Sequence, residues 1–490
     1  MTRQLVIHSN MYFVGEDMDR TILRRIVPQF YFKPYPYADV NTLSDPLQVF
    51  GYPNVPTSIS SAHYPLYYRP FIKNYNFMQG NTNLGFINIT LDGNGYMFQS
   101  DTLDSESSNI HTLILQKCTS VYIDRLQCLD SNNFLCLLRM CSDITVKSVY
   151  INGNYRNKFG TTEVIGSTQV NHTKIYQDGF HCKGVTNMNA YLIHTIFSGD
   201  DALTINSSVI SSTLHVGSSN VYIRKAIVNS RLANGIRLHT VGSKDIYNIT
   251  IDEVVINGYR RTYDANGISI MHWYNDDGIG TPHDITINKI IVKSLGHEPL
   301  TSSNEGAFIF IHKGSSIAPY APYNINIGEL QIMLDGTGAG INSPIANYSR
   351  TRILRFKDLG SRPDQTGNAN IVINKVIADG YPPATYDISF ENCNGLTVRN
   401  GMIRRLKTGG THIIIDNSSY ITLDKISIPK IDTNNDGIAD SRQGDIGLYI
   451  RGVSKYITAV NCVFAVNRLY EYDATAQTYA NTNNINIQQL

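Results

Sequence analysis

Charge is scarce in this sequence: 17% of its 490 residues are Asp, Glu, Lys or Arg, and the formal net charge is +1. Without a basic field nothing is available to neutralise a phosphate backbone, so nucleic acid is not an expected partner. No apolar run approaches the ~18 residues of a membrane span, so a soluble chain with no membrane segment is expected. The first residues, Met1-Thr-Arg-Gln-Leu-Val-Ile-His-Ser-Asn10, lack the basic start, apolar stretch and small-residue cleavage site of a secretory signal. Cys-x-x-Cys pairs are absent too. The seven cysteines stand at 118, 128, 136, 141, 182, 393 and 462, four of them among strand-like apolar residues, and read as packed thiols rather than disulfides or metal ligands. Tryptophan is almost missing, with one against 31 tyrosines. Exposed tyrosine rings suit sugar stacking, and equally suit turn and loop packing.

No segment carries a convincing 3.6-residue period, which removes helical architectures. What is present is one phrase repeated: a polar pair, a short alternating apolar run, a polar turn and a second apolar run. It occurs at Ser142–Ile151, Ser219–Val228, Tyr247–Ile256, His283–Val292, Tyr323–Ile332, Ala369–Ala378, Gly395–Ile403 and Ser419–Ile428. Strands this short cannot bury their own apolar face and must stack on the next copy. The uneven spacing, about 25 to about 45 residues, fits a fixed coil with loops of variable length inserted. The expected fold is all-β, a right-handed parallel β-helix with inserted loops. A β-sandwich does not repeat one motif so often.

The expected organisation is first coils or an N-terminal cap over 1–27, an aromatic-rich insertion over 28–80, the β-helix over 81–467 and a polar C-terminal tail over 468–490. The insertion is signalled by Tyr31-Phe-Lys-Pro-Tyr-Pro-Tyr37 and Tyr64–Phe71, the tail by its Asn, Gln, Thr and Ala content.

Acidic residues draw attention where successive coils carry them at matching places. Asp178, in Gln177-Asp-Gly-Phe180, and Asp200-Asp201, in Ser198–Ile205, lie about 22 residues apart, roughly one short coil. With coils stacked about 4.8 Å apart, the three carboxylates would share a face. Like charges so close push one group to stay protonated and leave another ionised, which supplies a general acid and a general base. Glycosidic cleavage asks for that pair. Asp-Gly and Gly-Asp-Asp are also ordinary turn formers, and either motif alone reads as a corner.

The run from 176 to 282 resembles the polygalacturonase-like family of glycoside hydrolases, in which Asn-Thr-Asp-Gly is followed by Asp-Asp, Gly-His-Gly and Arg-Ile-Lys. Tyr176-Gln-Asp-Gly179 stands at the first place, Asp200-Asp201 at the second, and Asn234-Gly-Ile-Arg-Leu-His239 where the family has Asn-Gly-Val-Arg-Ile-Lys. Gly267–Tyr274 followed by Gly280-Thr-Pro282 matches a segment that supplies an active-site tyrosine. The resemblance implies that Asp200 is the general acid, that Asp178 with Asp201 activates water, that Arg237 binds a substrate carboxylate or hydroxyl, and that Tyr274 lines the cleavage subsite. It implies inversion, no catalytic cofactor and a polysaccharide substrate. The Gly-His-Gly step is missing, with His215 nearby in a shortened stretch, and the family's lysine is His239, a weaker and pH-dependent cation. Polygalacturonate is therefore not the expected glycan. Trp273 is a sugar platform or a buried ring, His272, Asp276 and Asp277 lie on the loop side of the same coil, and Glu305 is a further candidate one coil onward.

A separate motif, Asp432-Thr-Asn-Asn-Asp-Gly-Ile-Ala-Asp440, has oxygen ligands at Asp432, Asn434, Asp436 and Asp440, the spacing of a calcium loop, with Gln443 where the closing Glu would stand. A structural calcium or a polar inter-coil turn both fit. The same β-helix and aspartates serve secreted pectinases and bacteriophage tailspike depolymerases. The missing signal, the free cysteines and the Asn/Tyr/Ile-rich composition favour the tailspike, a homotrimer in the virion tail that digests bacterial capsular or surface polysaccharide. A polysaccharide lyase on the same solenoid, a secreted pectinase and a non-catalytic glycan-binding adhesin stay open.

Overall fold

The second residue of the repeated phrase explains the coil. In a computed structural model, Asp143, Asn187, Asn220, Asn248, Asp284, Asn324 and Asn370 all have φ between 50° and 55°. That left-handed conformation is tolerated best by Asn, Asp and Gly, so the polar pair turns the chain sharply just before each long strand. The turns stack in register. Asn187 Nδ2 donates to Asp143 Oδ1 at 3.1 Å and Asn220 Nδ2 to Asn187 Oδ1 at 3.1 Å. Further on, Asn324 Nδ2 reaches Asp284 Oδ1 and Asn370 Nδ2 reaches Asn324 Oδ1, both at 3.0 Å.

The structure describes residues 5–25, 71–76, 79–93, 111–131, 134–153, 178–209, 215–230, 233–258, 266–273, 278–293, 306–333, 352–381, 386–405, 409–432, 439 and 441–490. These form a parallel β-helix. The chain divides into two compact units, Met1–Leu232 and Ala233–Leu490.

In the first unit a face of short strands runs Leu5–Ile7, Ile72–Asn74, Leu113–Gln116, Cys136–Arg139, Phe180–Lys183 and Leu203–Asn206, each parallel to the next. A second face holds the longer strands, among them Thr82–Asp92, Thr119–Leu129 and Ser218–Asn229. Inside it the in-register column Leu84, Val121, Ile144, Met188 and Val221 is at most 2% exposed. The second unit repeats the plan with the column Ile249, Ile285, Ile325, Ile371, Leu396 and Ile421, at most 1% exposed. Each such side chain contributes roughly 1.5–3 kcal/mol by leaving water.

Two boundaries differ from expectation. Residues 468–490 are not a tail: Val466–Tyr472 pairs with Gly444–Arg451 and Asn484–Gln489 with Thr458–Phe464, making one more coil. The alternation Ile485-x-Ile487 inside an Asn- and Gln-rich stretch carries that strand. Ile72–Asn74, assigned to the insertion, is likewise a coil strand, and 28–70 lie outside the described residues. Among the described residues the one helical element is the 3-10 turn Ala476–Thr482, and no helix is long and apolar enough to cross a membrane.

Candidate active site

Asp178 and Asp201 sit at equivalent places in adjacent coils of the first unit, each two residues before a short strand. Phe180 pairs with Leu203, and the Gly179 amide donates to the Asp201 carbonyl at 2.8 Å. Gly179 is required there, because a Cβ would stand 2.3 Å from the Ala202 carbonyl oxygen. The Asp200 carbonyl accepts from Ser198 Oγ at 2.8 Å and from Ser230 Oγ at 2.6 Å, which pins the corner carrying both aspartates. Asp178 and Asp201 are buried, at 6% and 2% exposure, and Asp200 is half-buried.

One oxygen from each of the three carboxylates lies within 4.8 Å of the others. Sequence spacing and structure therefore agree that Asp178, Asp200 and Asp201 converge. Such a cluster can move protons between a leaving oxygen and a water, or hold a divalent cation.

Residues that sequence reasoning missed surround it. His181 Nδ1 stands 2.6 Å from Asp178 Oδ2, and its Nε2 stands 3.1 Å from Asn206 Oδ1. Phe134 packs between His181 and His111, at ring separations of 4.8 and 5.2 Å. Burial brings the His111 imidazole down to about 3, with the charges of His181 and Arg25 adding to it, so His111 is neutral at physiological pH. Lys183, two residues after His181, pairs in register with Arg139. Burial lowers its ammonium to about 8; Arg139 adds to the shift and Asp178 opposes it. His215 lies elsewhere, on a two-residue strand paired with Val209, past the far end of the strand that Asp200 and Asp201 precede.

In the second unit Arg237 and His239 point from one strand toward Trp273. The guanidinium lies 5.2 Å from the indole centroid, and the imidazole ring 5.2 Å from it. Arg237, His239 and Trp273 thus come together, whereas Tyr274, Asp276, Asp277 and Glu305 lie outside the described residues. His272 is fully buried, with Nδ1 2.8 Å from both the Gly280 carbonyl and Thr240 Oγ1, and holds the fold. Sequence reasoning also missed Phe310, His312 and Arg355. His312 stacks on Phe310 at 3.8 Å, and Arg355 lies 4.8 Å from that ring. Burial, followed by the charges of Arg355, Lys357 and Arg237, holds His312 well below the ordinary imidazole value. Phe310, His312 and Arg355 are all buried, and Arg355 is paired with Glu391 at 3.3 Å, so this cluster sets a guanidinium and an imidazole against an aromatic ring inside the unit.

A second carboxylate–imidazole pair, Asp387 with His412, is wholly enclosed, and Arg405 donates to the same carboxylate at 2.8 Å. It braces the unit rather than facing a ligand. At the calcium motif, Asn434, Asp436 and Asp440 lie outside the described residues. Ile431 and Ser441 close the loop through paired backbone bonds of 2.9 and 3.0 Å. Gln443, in the position of the closing ligand, is instead fully buried: its amide accepts from the Arg405 N–H at 2.7 Å and donates to the Ile403 carbonyl at 3.1 Å. Gln443 therefore turns its side chain into the core, away from the place of a closing ligand.

Comparison with protein-family models, with curated proteins and with solved structures finds no match to this chain. What the fold and the site define is a class: a parallel β-helix that gathers three aspartates at the start of adjacent coils.

Proposed function

We propose that this chain is a glycoside hydrolase that depolymerises a polysaccharide, with Asp200 as general acid and Asp178 and Asp201 as the water-activating carboxylates. The observation that carries the reading is the convergence of the three carboxylates within 4.8 Å, two buried and one half-exposed. Asp200, the most accessible, gives its proton to the glycosidic oxygen as the bond to the anomeric carbon breaks. A water loses a proton to Asp178 or Asp201 as its oxygen bonds to that carbon. Such proton transfers are each worth about 10²–10⁴-fold in rate. In the second unit, taken by itself, Arg237, His239 and Trp273 are assigned to glycan binding, and a guanidinium beside an indole supports an acidic glycan.

The setting we infer is a homotrimeric bacteriophage tailspike acting on bacterial capsular or surface polysaccharide. Seven buried free thiols, which suit assembly in a reducing compartment, support it. Direct attack by the activated water inverts the anomeric centre, in keeping with the sequence resemblance, and the anomer first seen by proton NMR of the product tests it.

A second reading, a polysaccharide lyase, is favoured by Lys183, whose ammonium at about 8 beside Arg139 could supply a base for uronate elimination. The test is digestion of a panel of bacterial capsules with new reducing ends and ultraviolet absorbance followed together, with and without a chelator. Reducing ends without absorbance, insensitive to chelation, support the hydrolase. Absorbance of an unsaturated sugar supports the lyase, and binding without fragments supports an adhesin.

A further inference from the structure

His181 belongs to neither the three-carboxylate cluster nor the sequence resemblance, yet its Nδ1 stands 2.6 Å from Asp178 Oδ2. It lies on the strand Phe180–Lys183, three residues after Asp178, and points to the outer side of the sheet beside its register partners Leu137 and Thr204. Side-chain exposure is 6% for His181 and 8% for Asp178, so the 2.6 Å contact is shielded from solvent. Asn206, two residues beyond Thr204 on the next coil, holds the opposite ring nitrogen, and Phe134 lies against the ring face at 4.8 Å. The ring is thus gripped on three sides, in the one orientation that aims Nδ1 at the carboxylate.

Three carboxylates this close cannot all be ionised at modest cost. A donor fixed on one of them decides which keeps its charge, because a charge-assisted hydrogen bond stabilises the ionised form. The titratable and charged groups nearby are His111, which feels the His181 charge, Asp200 and Asp201 clustered with Asp178, and Lys183 with Arg139 on the same two strands. Lys183 and Arg139 sit on the second outward row, one register step beyond His181 and Leu137, and the Asp178 charge acts on the Lys183 ammonium.

We propose that His181 is a positioning residue for the reaction described above: its Nδ1–H donates to Asp178, holding that carboxylate ionised and aimed as the base while Asp200 serves as the acid. The inference rests on the hydrolase reading for its consequence in catalysis, while the hydrogen bond itself can be examined without any substrate.

Nitrogen-15 NMR of the full-length protein labelled at histidine, with Asp178→Asn and His181→Asn variants, reads it directly. The expected result is a protonated, pyrrole-type Nδ1 at His181 with a strongly downfield proton that moves upfield in Asp178→Asn. A pyridine-type Nδ1 would mean that Asp178 carries the proton and would overturn the proposal. On a cleaved glycan, His181→Leu should lower kcat by about 100-fold with KM little changed, as expected for a misaimed catalytic group. His181→Asn, which keeps an N–H donor at that place, should recover most of it. Equal losses in the two variants would overturn the positioning role. If wild-type protein cuts no glycan, the hydrolase reading fails and the nitrogen spectrum still decides the hydrogen bond. If His181→Leu does not fold, the wild-type and Asp178→Asn spectra decide it alone.

Discussion

Gly179 shows how narrowly the site is built. Its Cα faces the Ala202 carbonyl so closely that a methyl group would lie 2.3 Å from the oxygen. Gly179→Ala should therefore cost about 1–3 kcal/mol in urea unfolding, the usual range for overpacking, and should displace Asp178 with it. His283, in the second unit, offers a test by pH. It lies between Asp245 at 3.5 Å and Asp284 at 2.8 Å, and between the rings of Tyr247 and Tyr323. Burial works against its charge, but the two carboxylates outweigh it and raise its value above 6.5. Asp245 and Asp284 are also buried in part, and their hydrogen bonds hold them below 3.8. The histidine's contribution is complete below 6.5 and is lost as pH rises through its raised value; the aspartates' contribution is present above 3.8 and is lost as pH falls through their lowered values. The Tm difference between wild type and His283→Gln should be largest between those limits and should shrink as pH rises through the histidine's raised value. Of the site residues, the aspartates could be read from sequence because one coil of spacing brings like charges together. His181 could not, since a histidine inside a buried strand looks like any packed ring until its partner is placed.

The left-handed turn before each long strand is the element that defines the coil. Asn324 combines φ 52° with a donated bond to Asp284 and an accepted bond from Asn370. Asn324→Ala loses both the conformational tolerance and the ladder and should cost about 1–3 kcal/mol. Asn324→Gly should cost less, because it keeps the backbone freedom; chemical denaturation of the two variants checks the order. Tyrosines fill the same turn late in the chain. Tyr420 and Tyr456 have φ of 54° and 57° and stack at 4.7 Å, an aromatic contact in place of an amide one. The repeated polar pair made these turns legible, because Asn and Asp before an Ile-x-Ile run have a physical reason to be there. The last coil was not legible: its composition is that of a loop, and only half of its alternating side chains are shielded.

For the molecule as a whole, the fold class followed from repetition, whereas the cluster of Phe310, His312 and Arg355 in the second unit did not. Phe310, His312 and Arg355 come from coils separated by loops of unequal length, so no spacing rule brings them together beforehand. The cysteines give a global check. All seven are buried and free, and burial raises the thiols of Cys128, Cys141, Cys182, Cys393 and Cys462. A thiol reagent should find none in the native protein and seven after denaturation without reductant; fewer on denaturation would reveal a disulfide. The central claim is that the three aspartates cleave a glycosidic bond, and Asp200→Asn tests it most directly. Given a capsule that the wild type digests, the variant should bind it with unchanged affinity and release reducing ends about 10²–10⁴-fold more slowly. Release at the wild-type rate, with binding intact, would contradict the account and move the chemistry away from these carboxylates.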